Sequence, residues 1–384
     1  MHLRDNRHLA YCTNIHRGDD WLQTMAGLQA HTLAVKARVS PDQPYAIGLR
    51  LSDTASRQLS VPATLKAFQE WLLENDCYIF TINGFPFGQF HGAKVKEQVY
   101  LPDWTSIERL DYTKRLFDLL GQLLPVGVEG SVSTLPGSFK GFITSEDQKR
   151  QIRDHLWACI EHIDQCSQRY LRHLHLGVEP EPCGLWETSS ETVHLFQQME
   201  SDRPHDNRLR TFLGVNYDTC HLAVEYEEPV HVVAKFQGEG IRLSKIHLSS
   251  ALRVVPDLAA REWLLRFAED RYLHQVVAKA SNGTLQHYQD LDLALSQPIK
   301  EEEWRIHFHV PLHATTMTHG QTTVDHLLGL LDLLANRRDL CAHLEMETYT
   351  WEVLPTELRE SSVVDQLVRE YEWTLDELNK RGLL

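Results

Sequence analysis

The feature that most limits what this chain can fold into is an order that recurs eight times, a short apolar run followed by a stretch with helical spacing. Runs starting near Tyr11, Tyr45, Cys77, Gly130, His173, Leu213, Leu243 and His343 read as strands bounded by turn formers. The first of them is read as Tyr11-Cys12-Thr13-Asn14-Ile15-His16. Strand and helix alternating from end to end predict parallel strands joined by helical crossovers rather than a sandwich. Eight such units predict an α/β fold, a (β/α)8 TIM barrel, with its functional face at the carboxyl ends of the strands. Two stretches need separate places. Residues 256–313, with a helix and a candidate hairpin around Ser281-Asn282-Gly283, read as an elaborated connection after strand seven; the amphipathic stretch after Pro355 reads as the last outer helix. With no linker, repeat or low-complexity segment, residues 1–384 are read as one domain.

Several strands have one apolar and one polar face. In His173-Leu174-His175-Leu176-Gly177-Val178-Glu179 the odd positions are polar or small and the even ones aliphatic. Gly214, Asn216 and Asp218 share a face in the sixth run, and Glu345 and Glu347 share one in the eighth. Asp218 followed by His221 presents an oxygen and a nitrogen ligand together at a strand end, as a divalent-metal site requires. Alone, such an aspartate is a turn or helix-cap former. Matching ligand types at other strand ends change that balance.

Charge narrows the partners. The chain has 53 acidic and 38 basic residues, a net −15, and no Lys/Arg run to track phosphates, so a nucleic-acid partner is not expected. No apolar run is long enough to span a bilayer and Met1-His2-Leu3-Arg4-Asp5-Asn6-Arg7 has no signal-peptide character, so the expectation is a soluble cytoplasmic protein. Seven scattered cysteines without a CxxC pair predict free thiols. A homo-oligomer is compatible with the sequence.

Glu179, Asp218 with His221, His247 and Glu347, in this order at successive strand ends, resemble the metal site of the xylose-isomerase-like TIM barrels, a superfamily of sugar and sugar-phosphate isomerases and epimerases that also includes the endonuclease IV nucleases. Within it, Tyr11-Cys12-Thr13-Asn14-Ile15-His16, Asn83-Gly84-Phe85-Pro86-Phe87-Gly88, Leu135-Pro136-Gly137-Ser138-Phe139 and Ile306-His307-Phe308-His309-Val310-Pro311 resemble EboE, a family labelled "metabolite traffic protein".

The resemblance implies a divalent cofactor (Mn, Zn, Mg or Co) held by Glu179, Asp218, His247 and Glu347, with Glu345 as the alternative to Glu347. Glu179 and Glu347 would double as acid and base. His221, His307 and His309 are candidates for a second ion. His221, Arg253, Asn83, His91, Trp186 and Glu187 are candidates for binding substrate. Leu135 stands where the nuclease branch carries a metal-binding histidine, which argues against phosphodiester hydrolysis. The expected function is metal-dependent isomerisation or epimerisation of a small sugar, polyol or cyclitol-like metabolite. A metabolite-binding or trafficking barrel without turnover is the alternative.

Overall fold

The computed structural model describes residues 1–92, 94–298 and 302–384. Seven parallel strands come first: β1 (His8–Tyr11), β2 (Tyr45–Arg50), β3 (Cys77–Asn83), β4 (Gly130–Thr134), β5 (Leu174–Val178), β6 (Leu213–Asp218) and β7 (Leu243–Leu248). Six short strands follow in an insertion: β8 (Leu252–Val254), β9 (Val276–Lys279), β10 (Leu285–Tyr288), β11 (Glu303–Ile306), β12 (Thr316–Met317) and β13 (Gly320–Thr322). β14 (His343–Met346) then returns to the first sheet. That sheet runs β1-β14-β7-β6-β5-β4-β3-β2, and a parallel bridge between Cys12 and Gly48 brings its two ends together. The result is a nearly closed (β/α)8 barrel with helices between the strands.

The first strand lies earlier than its sequence suggests. Thr13–Ile15 is a 3-10 turn rather than strand. There the Arg50 backbone N–H, which would extend the ladder, bonds the Thr13 hydroxyl at 2.9 Å. The turn faces Asn14 inward, where its side chain donates to Glu347 Oε1 at 2.7 Å. The outer helices start where side chains satisfy their free N–H groups: capping boxes Ser145/Gln148 and Thr188/Glu191 open Glu146–Tyr170 and Ser189–Asp202. Proline at the first position opens Pro62–Glu74.

Barrels of this kind are usually filled by bulky aliphatic side chains. This one is polar inside. His343 Nδ1 and Thr81 Oγ1 each lie 2.8 Å from the Ser131 hydroxyl, and above them Lys245 donates to Ser133 Oγ at 2.9 Å and to Glu345 Oε2 at 2.5 Å. Gly48 makes room for this layer, because a Cβ there would sit 2.0 Å from Glu345 Oε1 and 2.7 Å from the Tyr11 carbonyl oxygen.

The insertion forms a second, antiparallel sheet ordered β10-β9-β11-β8-β13-β12, so it begins at Leu252 and reaches Thr322, wider than residues 256–313. Residues 299–301 of that predicted stretch lie outside the described residues. The expected hairpin is β9–β10, with Gly283 at φ +83°. The sheet packs a core of its own around Trp263, Phe267, Trp304 and Phe308. Helix Val363–Lys380 is the predicted last outer helix. The cysteines are free, and no helix among the described residues is long and apolar enough to cross a membrane.

Candidate functional site

Strand register sets the site's first level. Glu345 pairs with His247, and His247 with Asp218, across β14, β7 and β6. Glu179 and Glu347 follow directly after β5 and β14, each held by its backbone N–H on a neighbouring strand, to Thr134 O and Leu248 O at 3.0 Å. Their side chains converge on one atom. His247 Nδ1 lies 2.9 Å from Glu179 Oε1, 3.1 Å from Glu347 Oε2 and 3.5 Å from Asp218 Oδ2.

Asp218 is both the cap its position suggests and a member of this cluster. Its Oδ1 accepts from the N–H groups of Cys220 (2.7 Å) and His221 (3.0 Å) and from the Ser249 hydroxyl (2.6 Å). Its Oδ2, buried, has no hydrogen-bond partner. Burial pushes the Asp218 carboxyl up, yet the imidazoles of His221, His309 and His247 hold it well below the usual range.

The two glutamates of the last strand divide their work. Glu345 Oε2 lies 2.8 Å from His247 Nε2 and accepts from Lys245, so it grips the far side of the ring and leaves Nδ1 toward Glu179, Asp218 and Glu347. That is how an outer carboxylate orients a ligating histidine. Burial pushes the Glu345 carboxyl up, but Lys245 and His247 bring it to about 2. Burial draws the His247 ring down and Lys245 opposes its charge, but Glu347, Glu179 and Asp218 prevail and hold it well above its ordinary value.

A second tier stands over the first. Along His307-Phe308-His309, which continues β11, Phe308 enters the insertion core, 5.0 Å from the Phe267 ring. The two histidines go the other way, toward His221. His309 Nε2 lies 3.4 Å from His221 Nε2, while His309 Nδ1 lies 2.8 Å from the Glu347 carbonyl oxygen. His221 Nε2 is 3.9 Å from Asp218 Oδ2, and Asp218, His221 and His309 bring ligand atoms within 4.8 Å of one another. Glu181, His221 and His307 form a second such group. Burial pushes the His307 ring well down and lowers His309.

Both tiers border a cleft enclosing about 540 Å³ of space between atoms, part of it open to solvent. Glu179, Glu347, His221, His307, Asn14 and Asn83 line its polar end; Phe85, Phe90, Tyr100, Tyr272 and Tyr349 are among its apolar walls. Arg50 and Arg109 secure the loop after β3 by donating to the carbonyl oxygens of Pro86 and Gly88, and of Gly84 and Phe85. Of the candidate substrate residues, the structure brings His221 and Asn83 to the cleft. His91 sits behind it, bonded to the Asn14 carbonyl oxygen and, at 2.7 Å, to the Tyr272 hydroxyl. Arg253, Trp186 and Glu187 are elsewhere: Arg253 pairs with Asp325 at 2.7 Å, Trp186 packs over Gly137, and Glu187 pairs with Lys140. Sequence reasoning did not single out Asn14, Lys245 or Glu181, although Asn14 lies in the Tyr11–His16 motif and Lys245 shares a strand face with His247.

The donor set fits a divalent cation. Bonds of about 2.0–2.2 Å separate neighbouring ligand atoms by roughly 3.0–3.5 Å, close to the spacing around His247 Nδ1. Four buried carboxylates (Glu179, Asp218, Glu345 and Glu347) surround Lys245 and His247, and a divalent ion would take over the charge that the protonated His247 ring balances.

The fold is that of the (β/α)8 TIM barrels, and solved structures share it over nearly the whole chain. Among solved structures, a D-tagatose 3-epimerase-like protein matches with 14% identity over 98% of both chains and a TM-score of 0.51. D-psicose 3-epimerase from Clostridium cellulolyticum H10 matches with 11% identity, 98% of this chain, 100% of the other and a TM-score of 0.51. A protein from Anabaena variabilis ATCC 29413, of the proposed sugar phosphate isomerase/epimerase type, matches with 10% identity, 98% and 99% coverage and a TM-score of 0.53. At such identities the likeness is one of fold. No protein-family model and no curated protein matches the sequence.

Proposed function

We propose that the barrel mouth holds one divalent cation (Mn, Zn, Mg or Co) through Glu179, Asp218, His247 and Glu347, and isomerises or epimerises a small sugar, polyol or cyclitol-like metabolite. The observation that carries this reading is the convergence of three carboxylate oxygens on His247 Nδ1, beside a cleft whose polar end Glu179, Glu347 and His221 line. When bound, the ion would act as a Lewis acid on neighbouring oxygens of a hydroxyketone.

Protein groups do the rest. Glu347 Oε1 accepts from Asn14 (2.7 Å) and Asn83 (3.1 Å), so this carboxylate is rigidly placed. Glu179 is less engaged, with only Oε1 close to His247, and its other oxygen takes the carbon-bound proton. Glu347 is the paired acid: it takes a proton from solvent and returns it to the reacting carbon, Glu179 gives its proton up to solvent, and His221 orients substrate oxygens. Phe85, Phe90, Tyr272 and Tyr349 exclude water from the reacting carbon. His307 and His309 stand ready as ligands of a second ion with His221. Epimerases that share the barrel support the substrate class.

The narrower likeness to EboE, with a metabolite-carrying role, draws support from where its motifs lie. Asn14, Asn83 and His307, from three of the four, all line the cleft.

Proton exchange distinguishes turnover from carriage. The protein, loaded with Mn or Zn, is incubated with ketoses and cyclitols in deuterated water and followed by NMR. Exchange at carbon is expected, falling by about 10²–10⁴ in Glu179→Gln assayed at saturating metal, where the weakened ion site is still filled. Ligand binding without exchange in the metal-loaded wild type would instead establish the carrier.

A further inference from the structure

A second cluster of ligand-type side chains lies in the outer helical layer and shares no residue with the barrel mouth. Helices Ile107–Leu123 and Glu146–Tyr170 belong to successive units of the barrel and pack together. His162 and Cys166 are four residues apart on the second, so their side chains share a face. Asp118 meets them from the first.

The three donor atoms form an equilateral triangle. Asp118 Oδ1 is 3.3 Å from His162 Nε2 and 3.3 Å from Cys166 Sγ, and Sγ is 3.3 Å from Nε2. One ring N–H and one thiol hydrogen serve two sides of such a triangle, not three. A tetrahedral ion accounts for all three sides, because bonds of about 2.0 Å to nitrogen or oxygen and about 2.3 Å to sulfur set neighbouring ligands roughly 3.3–3.5 Å apart.

We propose that Asp118, His162 and Cys166 form a separate zinc site, with solvent as the fourth ligand, that clamps these two helices. Sulfur with imidazole selects zinc over magnesium or calcium. The site is open on one side: the Asp118 and His162 side chains are 37% and 20% exposed, while Cys166 is buried in the seam. Carboxylate and thiolate together match the charge of the ion. Arg169, on a side chain 63% exposed and over the Tyr170 ring, lies 3.9 Å from Asp118 Oδ1. Burial and the Asp118 charge push the Cys166 thiol up to about 12, so without an ion it keeps its proton. Zinc binding releases that proton to solvent, and affinity rises with pH.

Cobalt(II) provides the test, because a thiolate ligand gives it a near-ultraviolet charge-transfer band that carboxylates and imidazoles do not. Full-length wild type, its barrel mouth first loaded with Mn, is expected to develop the band on titration with one equivalent of cobalt. Cys166→Ser is expected to lose the band and one equivalent of zinc by elemental analysis, and Asp118→Asn to bind about tenfold or more weakly. Circular dichroism confirms that each variant is folded; if Cys166→Ser is not, Asp118→Asn carries the test. No band in folded wild type, or a band that persists in Cys166→Ser, overturns the site. Proton exchange at the barrel mouth is expected to be unchanged in Cys166→Ser, so this test is independent of the proposed function.

Discussion

Asp218, Glu345 and Glu347 show how identical carboxylates acquire different work from their partners. Asp218 divides its oxygens between a helix start and the cluster; Glu347 is held by two amides; Glu345 sits below, between Lys245 and His247. Side-chain alternation predicts that Glu345 and Glu347 point the same way, and they do, but alternation does not say which faces Nδ1. Glu345→Gln tests the assignment. Removing its charge leaves the buried Lys245 unpaired and the His247 ring less firmly oriented. The expected outcome is a loss of about 3–5 kcal/mol of stability in urea denaturation and roughly 10–100-fold weaker metal binding by titration. Unchanged metal affinity in the folded variant would show that Glu345 does not orient the ring.

Among the elements, the last outer helix carries a buried acid that no pattern in the sequence reveals. Glu370 on Val363–Lys380 accepts from Thr348 Oγ1 (2.8 Å) and Gln366 Nε2 (2.6 Å), yet burial raises its carboxyl from 4.5 to about 7. The folded chain therefore holds this proton more tightly than the unfolded chain. The resulting stability is complete below about pH 4.5 and is lost as pH rises through about 7. The shift corresponds to about 3 kcal/mol. Glu370→Gln is expected to be more stable than wild type at pH 8, by up to that amount, and little changed at pH 4.5, both by chemical denaturation. Equal differences at the two pH values would count against a protonated Glu370.

For the whole molecule, barrel and insertion jointly build the site, because β5, β6, β7 and β14 supply the first tier and the segment after β11 supplies His307 and His309. Metal binding at the barrel mouth should therefore stabilise the fold as a unit. A free-ion concentration about 100 times Kd would add about 2.7 kcal/mol. The expected observation is a Tm that rises with added Mn or Zn, falls with chelator and no longer responds to Mn in Asp218→Asn. A response to Mn unchanged in that variant would place the ion elsewhere.

The sequence by itself determined the strand order, the (β/α)8 class, the inward polar faces of β5, β6 and β14, and the residue types at the strand ends. Periodicity of two along a strand and apolar spacing along a helix are local, so they survive in a single sequence. Only the tertiary structure decided that β1 ends at Tyr11 and yields to a turn, that Lys245 and Asn14 join the cluster, and that Arg253, Trp186 and Glu187 stand away from the cleft. Those outcomes depend on packing between residues hundreds of positions apart, such as Asn14 with Glu347, or Glu345 against the space left by Gly48. Barrel closure brings such pairs together, and no spacing along the chain records which side chain will lie opposite another.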